Sequence, residues 1–252
     1  MFPVINIGPL SLPTPAFILI IGYLVGSYLL DKKASIFSTD SELIDRALWI
    51  GTASALLGAR ISYIAGFPTA FKGDLISIFS LNPALLDPVG GLIIGCSAAF
   101  LVVTKQKIDN WAFLDSLTLF LGALFASYFL SRFSSGDGYG IVTDCPWGIY
   151  LWGAVRHPVQ LYKAAFALIV LGFVLVFAPS KTKPPGITFL LFSVSTLSYL
   201  IFFTHFQESG LPLISGFRIE QVMYWLLLLA ALLLLNFRSV TPPTKEQNET
   251  QG

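Results

Sequence analysis

Residues Trp111 to Phe133 read WAFLDSLTLFLGALFASYFLSRF, an unbroken apolar run in which Asp115 and Arg132 are the only charged side chains. A bilayer core about 30 Å thick takes roughly 17 to 25 such residues as one helix. Lipid satisfies no backbone group, so a spanning segment must be a helix or part of a closed barrel. The run is continuous rather than alternating, which selects the helix. Six further runs read the same way: Ala16–Leu30, Leu48–Gly66, Val89–Thr104, Val159–Ala178, Gly186–Phe206 and Gln221–Phe237. The expected fold is therefore an all-α integral membrane protein of seven transmembrane helices. Composition agrees, since the 252 residues are 55% hydrophobic and 12% charged, where a soluble globule carries about a quarter charged residues. The third run is short and opens with Gly90-Gly91, a pattern suited to a helix whose backbone faces protein or a water-filled cavity.

A net charge of +1 gives no basic or acidic excess, and no nucleic-acid partner is expected. The position of the basic residues carries more information than their number. Segments after the first, third, fifth and seventh runs hold nine: Lys32, Lys33, Arg46, Lys105, Lys107, Lys181, Lys183, Arg238 and Lys245. The opposite segments hold three, Lys72, Arg156 and Arg218. Positive residues stay cytoplasmic, which predicts the N-terminus outside and the C-terminus in the cytoplasm. Residues 1–238 are expected to form one membrane domain and 239–252 a polar, disordered cytoplasmic tail. Cys96 and Cys145 are too few for a disulfide framework and lack partners at metal-ligand spacing, so no metal site and no cofactor are expected. The opening MFPVINIGPLSLPTP has no Lys or Arg, unlike a cleavable signal, and the chain is expected to enter the membrane by its first span.

The remaining basic residues, Arg60, Arg132 and Lys163, lie inside spans near their outer ends, level with Arg156, His157 and His205. Ionisable groups in a span are costly and mark function when they face a cavity. Lys163, in the first turns of its span, is expected to snorkel to the headgroups. Arg60 lies deeper and is the better candidate for a bound anion, with Arg132 able either to hold an anion or to compensate its helix C-terminus. Two guanidinium groups at one cavity would suit a phosphodiester, because the planar fork matches phosphate and stays charged. Between spans four and five, Gly136, Gly138 and Gly140 surround Asp137 and permit positive φ and close backbone approach. At the entry of span five, Arg156-His157-Pro158-Val159-Gln160-Leu161-Tyr162 places Gln160 and Tyr162 as donors at the interface. His157, beside a like charge, is expected to serve as a neutral acceptor.

These stretches resemble the prolipoprotein diacylglyceryl transferase family. Ile7-Gly8-Pro9-Leu10 resembles its N-terminal segment, and Gly58-Ala59-Arg60-Ile61-Ser62-Tyr63 its Gly-Gly-Arg-x-Gly-Tyr stretch. Gly90-Gly91-Leu92-Ile93-Ile94-Gly95 is similar to its Gly-Gly-Leu-Ile-Gly helix entry. Thr143-Asp144-Cys145-Pro146-Trp147-Gly148 and Arg156 to Tyr162 resemble Pro-Thr-Asp-x-Pro-Trp-Gly and Arg-His-Pro-Ser-Gln-Leu-Tyr. Four positions depart from the pattern: Val89 for a His, Phe129 for an Arg that Arg132 follows three residues later, Tyr199 for an Arg in span six, and Pro15 for a Tyr in span one.

The resemblance implies a multi-pass protein of the bacterial cytoplasmic membrane. Its implied activity moves a diacylglyceryl group from phosphatidylglycerol to the lipobox cysteine of a prolipoprotein in the outer leaflet. Its implied catalytic residues are Arg132, Asp137 and His157, with Arg60, Tyr63, Gln160 and Tyr162 on the phospholipid. His205 is a second candidate base. A family member that binds phospholipid or lipoprotein without chemistry is the alternative, for which Val89, Phe129 and Tyr199 argue. A transporter would need charges at mid-membrane on several spans or a two-half repeat, and the sequence has neither.

Overall fold

A computed structural model of the chain describes residues 4–7, 10–33, 41–73, 77–78, 85–106, 109–177, 184–208, 213–214 and 217–240. Among the described residues, seven helices are long and apolar enough to cross a membrane: α1 (Thr14–Lys33), α2 (Ser41–Gly66), α3 (Pro88–Lys105), α4 (Asn110–Ser135), α5 (Val159–Phe177), α6 (Ile187–Thr204) and α7 (Ile219–Val240). Each contains or nearly coincides with one expected span. The largest difference is at α2, which starts seven residues earlier in a polar stretch, where Glu42 and Arg46 pair one turn apart and support the added turns. α7 likewise runs to Val240, past the expected limit of 238. Most of the tail expected to be disordered, residues 241–252, lies outside the described residues.

Hydropathy did not reveal three antiparallel two-stranded hairpins: β1 (Val4–Ile7) with β2 (Leu10–Pro13), β3 (Ile149–Leu151) with β4 (Ala154–Arg156), and β5 (Leu213–Ile214) with β6 (Phe217–Arg218). Strands of two to four residues are too short to show alternation. The β3–β4 turn has both central residues at positive φ, Trp152 at 52° and Gly153 at 81°, as the twist of a tight hairpin requires.

The chain divides into two compact units, residues 1–38 with 114–252, and residues 39–113. In the larger unit, Ala123, Ala126 and Phe129 of α4 join Ala164, Ala167 and Leu171 of α5 and Phe192, Tyr199 and Phe203 of α6 in one buried cluster. Small residues bring the helices close. A Cβ on Gly122 would stand 2.9 Å from Leu171, and one on Gly26 of α1 3.0 Å from Phe120. Lipid tails supply no net hydrophobic drive between helices, so such close packing holds them together. At the other end of α4, buried Asp115 accepts the Gly186 and Phe189 amides at 2.6 and 2.8 Å, meeting the orphan donors and positive end of α6.

The smaller unit is α2 packed on α3 through facing small residues. A Cβ on Gly91 would meet Ala55 O and Ala59 Cβ at 2.8 Å, and one on Gly95 would meet Ala55 Cβ at 2.6 Å. The glycines that opened the short third span thus serve close helix contact. Asp87 caps α3, accepting the Val89 and Gly90 amides at 3.1 and 3.2 Å and the Ser62 hydroxyl at 2.5 Å. The Ser62 hydrogen bond, the largest influence, holds its carboxyl below the ordinary 3.8 against the upward push of desolvation, with the two amides adding to the lowering.

Candidate functional site

α4 ends in a Schellman turn: the Asp137 amide donates to Arg132 O at 3.0 Å and the Gly136 amide to Phe133 O at 3.3 Å, with Gly136 at φ 81°. This is the usual way a helix stops on a left-handed glycine. It also turns the following residues back over the helix end. Gly138, at φ 69°, lies so close to Arg132 that a Cβ there would be 3.1 Å from one terminal guanidinium nitrogen. The glycine run is therefore a cradle around the Arg132 head group, and the arginine itself rests against the Tyr128 ring, 6.0 Å from its centroid.

Residues 139–143 continue as a strap between two partners. Gly140 donates to His157 O and Thr143 to Val155 O on one side, at 3.0 and 2.9 Å; Ile141 donates to Phe206 O at 2.9 Å on the other. The strap ties the start of α5 to the end of α6. Gln160, buried in the first turn of α5, completes the tie by donating to Asp137 O at 2.9 Å.

A cavity of about 120 Å³ opens beneath this platform. Arg132, Tyr128 and Phe129 of α4 form one wall, and Gly138 the lip. Gln160 and Lys163 come from α5, Gln207 from just past α6, and Glu220 and Tyr224 from α7. Lys163 does not snorkel, contrary to expectation. It is 6% exposed, donates to Gln207 Oε1 at 2.5 Å, and stands 5.8 Å from the Phe129 ring centroid. The reason is the helix face: Lys163 is three residues from Gln160 and so shares its inward side.

Of the expected site residues, Arg132 and Gln160 line this cavity, and Asp137 and His157 do not. The Asp137 carboxylate accepts Ser135 Oγ at 3.0 Å; the residue contributes through its backbone. His157 lies in a neighbouring crevice with Arg156, Tyr139 and Gln160, so Gln160 is a wall of both. There His157 Nδ1 is 3.3 Å from the Tyr162 hydroxyl, which accepts Trp147 Nε1 at 2.8 Å. Arg156 is paired with Glu208 and lies over the Tyr139 ring at 4.8 Å. In the smaller unit, Arg60 donates to the carbonyls of Ile78 and Leu85, each at 2.8 Å, and to that of Ser77. Its guanidinium also stands 5.4 Å from the Phe71 centroid, and Phe71 in turn meets Tyr63 edge-on.

The sequence reading missed Lys163 as a site residue, and Glu220, Gln207 and Tyr224 altogether. Glu220 offered a signal, a carboxylate directly before an apolar run; Gln207 offered none.

A sequence profile of the prolipoprotein diacylglyceryl transferase family matches residues 3–237. The chain belongs to this family. It is 32% identical over 79% of its length to the phosphatidylglycerol–prolipoprotein diacylglyceryl transferase of Pasteurella multocida, covering 76% of that protein. It is 25% identical over 80% of its length to the enzyme of that name from Campylobacter jejuni serotype O:23/36, covering 79% of it. Against the relative from Aliarcobacter butzleri, identity is 28% over 53% of the chain, and the match spans 54% of that protein. With its seven apolar helices among the described residues, this member of the family is a multi-pass protein of the bacterial inner membrane, and the relatives it matches bear the name of a transferase. Of the family-like stretches, Thr143 to Gly148 begins at the end of the strap, where the Thr143 amide donates to Val155 O, and Arg156 to Tyr162 supplies Gln160 to the cavity wall.

Proposed function

We propose that the protein transfers the diacylglyceryl group of phosphatidylglycerol to the lipobox cysteine of a prolipoprotein, at the outer leaflet of the inner membrane. The observation that carries this reading is the Arg132 cavity, in which a guanidinium cradled by Gly138 faces a space also lined by Gln160 of the family-like α5 entry. In the reaction the cysteine sulfur bonds to the glyceryl carbon that bears the phosphate. The carbon–oxygen bond breaks, its electron pair passing to the phosphate oxygen, and glycerol phosphate leaves while the thiol proton goes to a base. Negative charge therefore grows on the phosphate, where a preorganised cation lowers the barrier most.

Arg132 is assigned to the phosphate. Asp137 positions Gln160 through its carbonyl, and Gln160 offers the substrate its place between the two crevices. His157, in contact with Tyr162, takes the thiol proton. A thiol of reference pKa about 8.5 suits a base of modest strength. For Arg60 and Tyr63 a phospholipid contact remains a proposal resting on their place in the sequence pattern.

The test is to incubate purified protein with phosphatidylglycerol and a lipobox peptide and to weigh the peptide. A diacylglyceryl adduct is expected. Its absence, under conditions where a family enzyme works, would refute the transferase reading and leave lipid binding without chemistry.

A further inference from the structure

The Arg132 cavity holds a second cation that the sequence pattern did not assign. Lys163 is buried at its wall, and among the described residues its ammonium takes one acceptor, Gln207 Oε1. An ammonium has three N–H donors, and leaving buried charged donors unmet is costly. The cavity is where an anion would meet them, shared with Arg132. Glu220, in the first turn of α7, lines the same cavity. Glu208 pairs directly with Arg156, whereas Glu220 is not in ion-pair contact with Lys163 and acts on it through space.

Arg132 and Lys163 against Glu220 leave the cavity a net charge of one positive unit. A phosphodiester carries one negative charge and neutralises it. The phosphate monoester released by the reaction carries nearly two. We infer that Lys163 is the second cation on the lipid phosphate, and that Glu220 limits the cavity's charge so that the monoester product is let go. The inference rests on the transferase reading and names two residues beyond it. Arg218 lies nearby, but its guanidinium donates to the carbonyls of Thr204, at 2.6 Å, and Gln207, so it supports the scaffold.

The experiment uses the full chain in detergent or nanodiscs with Lys163→Met, Lys163→Arg and Glu220→Gln. A charge-assisted bond that strengthens as the phosphate leaves predicts that Lys163→Met lowers kcat about 10- to 150-fold. Lys163→Arg should recover most of that loss, with melting temperatures alike. Glu220→Gln should lower the inhibition constant of glycerol phosphate at least about fivefold, because one opposing charge near a dianion is gone. Unchanged kcat in Lys163→Met overturns the inference, as does loss in Met and Arg variants alike, or a glycerol phosphate inhibition constant that Glu220→Gln leaves unmoved. If wild type forms no adduct, the transferase reading fails separately. Binding of phosphatidylglycerol nanodiscs then decides the lysine: weaker binding by Lys163→Met at equal stability supports its role, and equal binding overturns it.

Discussion

Gly138 and Gly153 form a controlled pair. Both lie in the left-handed region, at φ 69° and 81°. An alanine at either would carry the same backbone penalty, about 1–2 kcal/mol. Their surroundings differ. A Cβ on Gly153 meets nothing within 4 Å, whereas one on Gly138 is 3.1 Å from an Arg132 terminal nitrogen and 3.2 Å from Nε. The guanidinium must move by a few tenths of an ångström. A 1 Å misplacement at a reacting centre costs about a hundredfold, so a shift of 0.3 to 0.5 Å corresponds to roughly four- to tenfold in rate. Gly138→Ala should therefore lose about that much kcat in the peptide-lipidation assay, and Gly153→Ala none. Thermal unfolding in detergent should show similar destabilisation for the two. Equal loss of rate in both, or full rate in Gly138→Ala, would mean that the glycine run is an ordinary turn and that the placement of Arg132 is not what it serves.

Arg132→Ala removes the cation nearest that cradle and should lower kcat by about 10²- to 10³-fold, measured by peptide mass over time. His157→Gln should slow the reaction and flatten its dependence on pH; full rate with an unchanged profile would show that the proton goes elsewhere. Asp87 supplies a stability test. Its folded carboxyl is held below 3.8 by the Ser62 hydroxyl and two amides, so its contribution is complete above that value and is lost as pH falls through the lower folded one. Asp87→Asn should remove this acid-side dependence from a melting curve taken as a function of pH, and a curve unchanged in shape would count against the cap.

The helices were legible because a membrane span depends on one property, hydropathy, sustained over many residues. α4 reads that way even with Asp115 and Arg132 inside it. The hairpins were not legible, since β3 and β4 together offer six residues, and their turn depends on a tryptophan at positive φ that no pattern announces. The site divided in the same manner. Arg132 and Gln160 lie in contiguous motifs and were found. Glu220 and Gln207 reach the cavity only through the packing of α7 and the end of α6. Lys163 was misread because a lysine near a span end usually snorkels; its helix face, set by Gln160 one turn away, outweighed that habit.

Burial and charge alone do not identify which cations act. What separates them is where their donors end. Arg60, Arg156 and Arg218 all donate to backbone carbonyls, the first at three sites, and Arg156 has Glu208 besides. A guanidinium on backbone carbonyls is a brace for a loop, satisfying acceptors that the membrane would leave orphaned. Arg132 and Lys163 differ, since each is fixed by one side-chain oxygen, that of Tyr128 at 3.5 Å or Gln207 at 2.5 Å, with an aromatic ring behind the charge. A ring holds a cation in place without neutralising it. Such cations keep donors for an incoming anion, and both line one cavity. The departures from the family pattern at Phe129 and Tyr199 fit this division. Both are buried aromatic residues in edge contact, with ring centroids 6.4 Å apart, and Phe129 is the ring beside the Lys163 ammonium. With an aromatic ring at each of these two positions, the cavity's cations are Arg132 of α4 and Lys163 of α5.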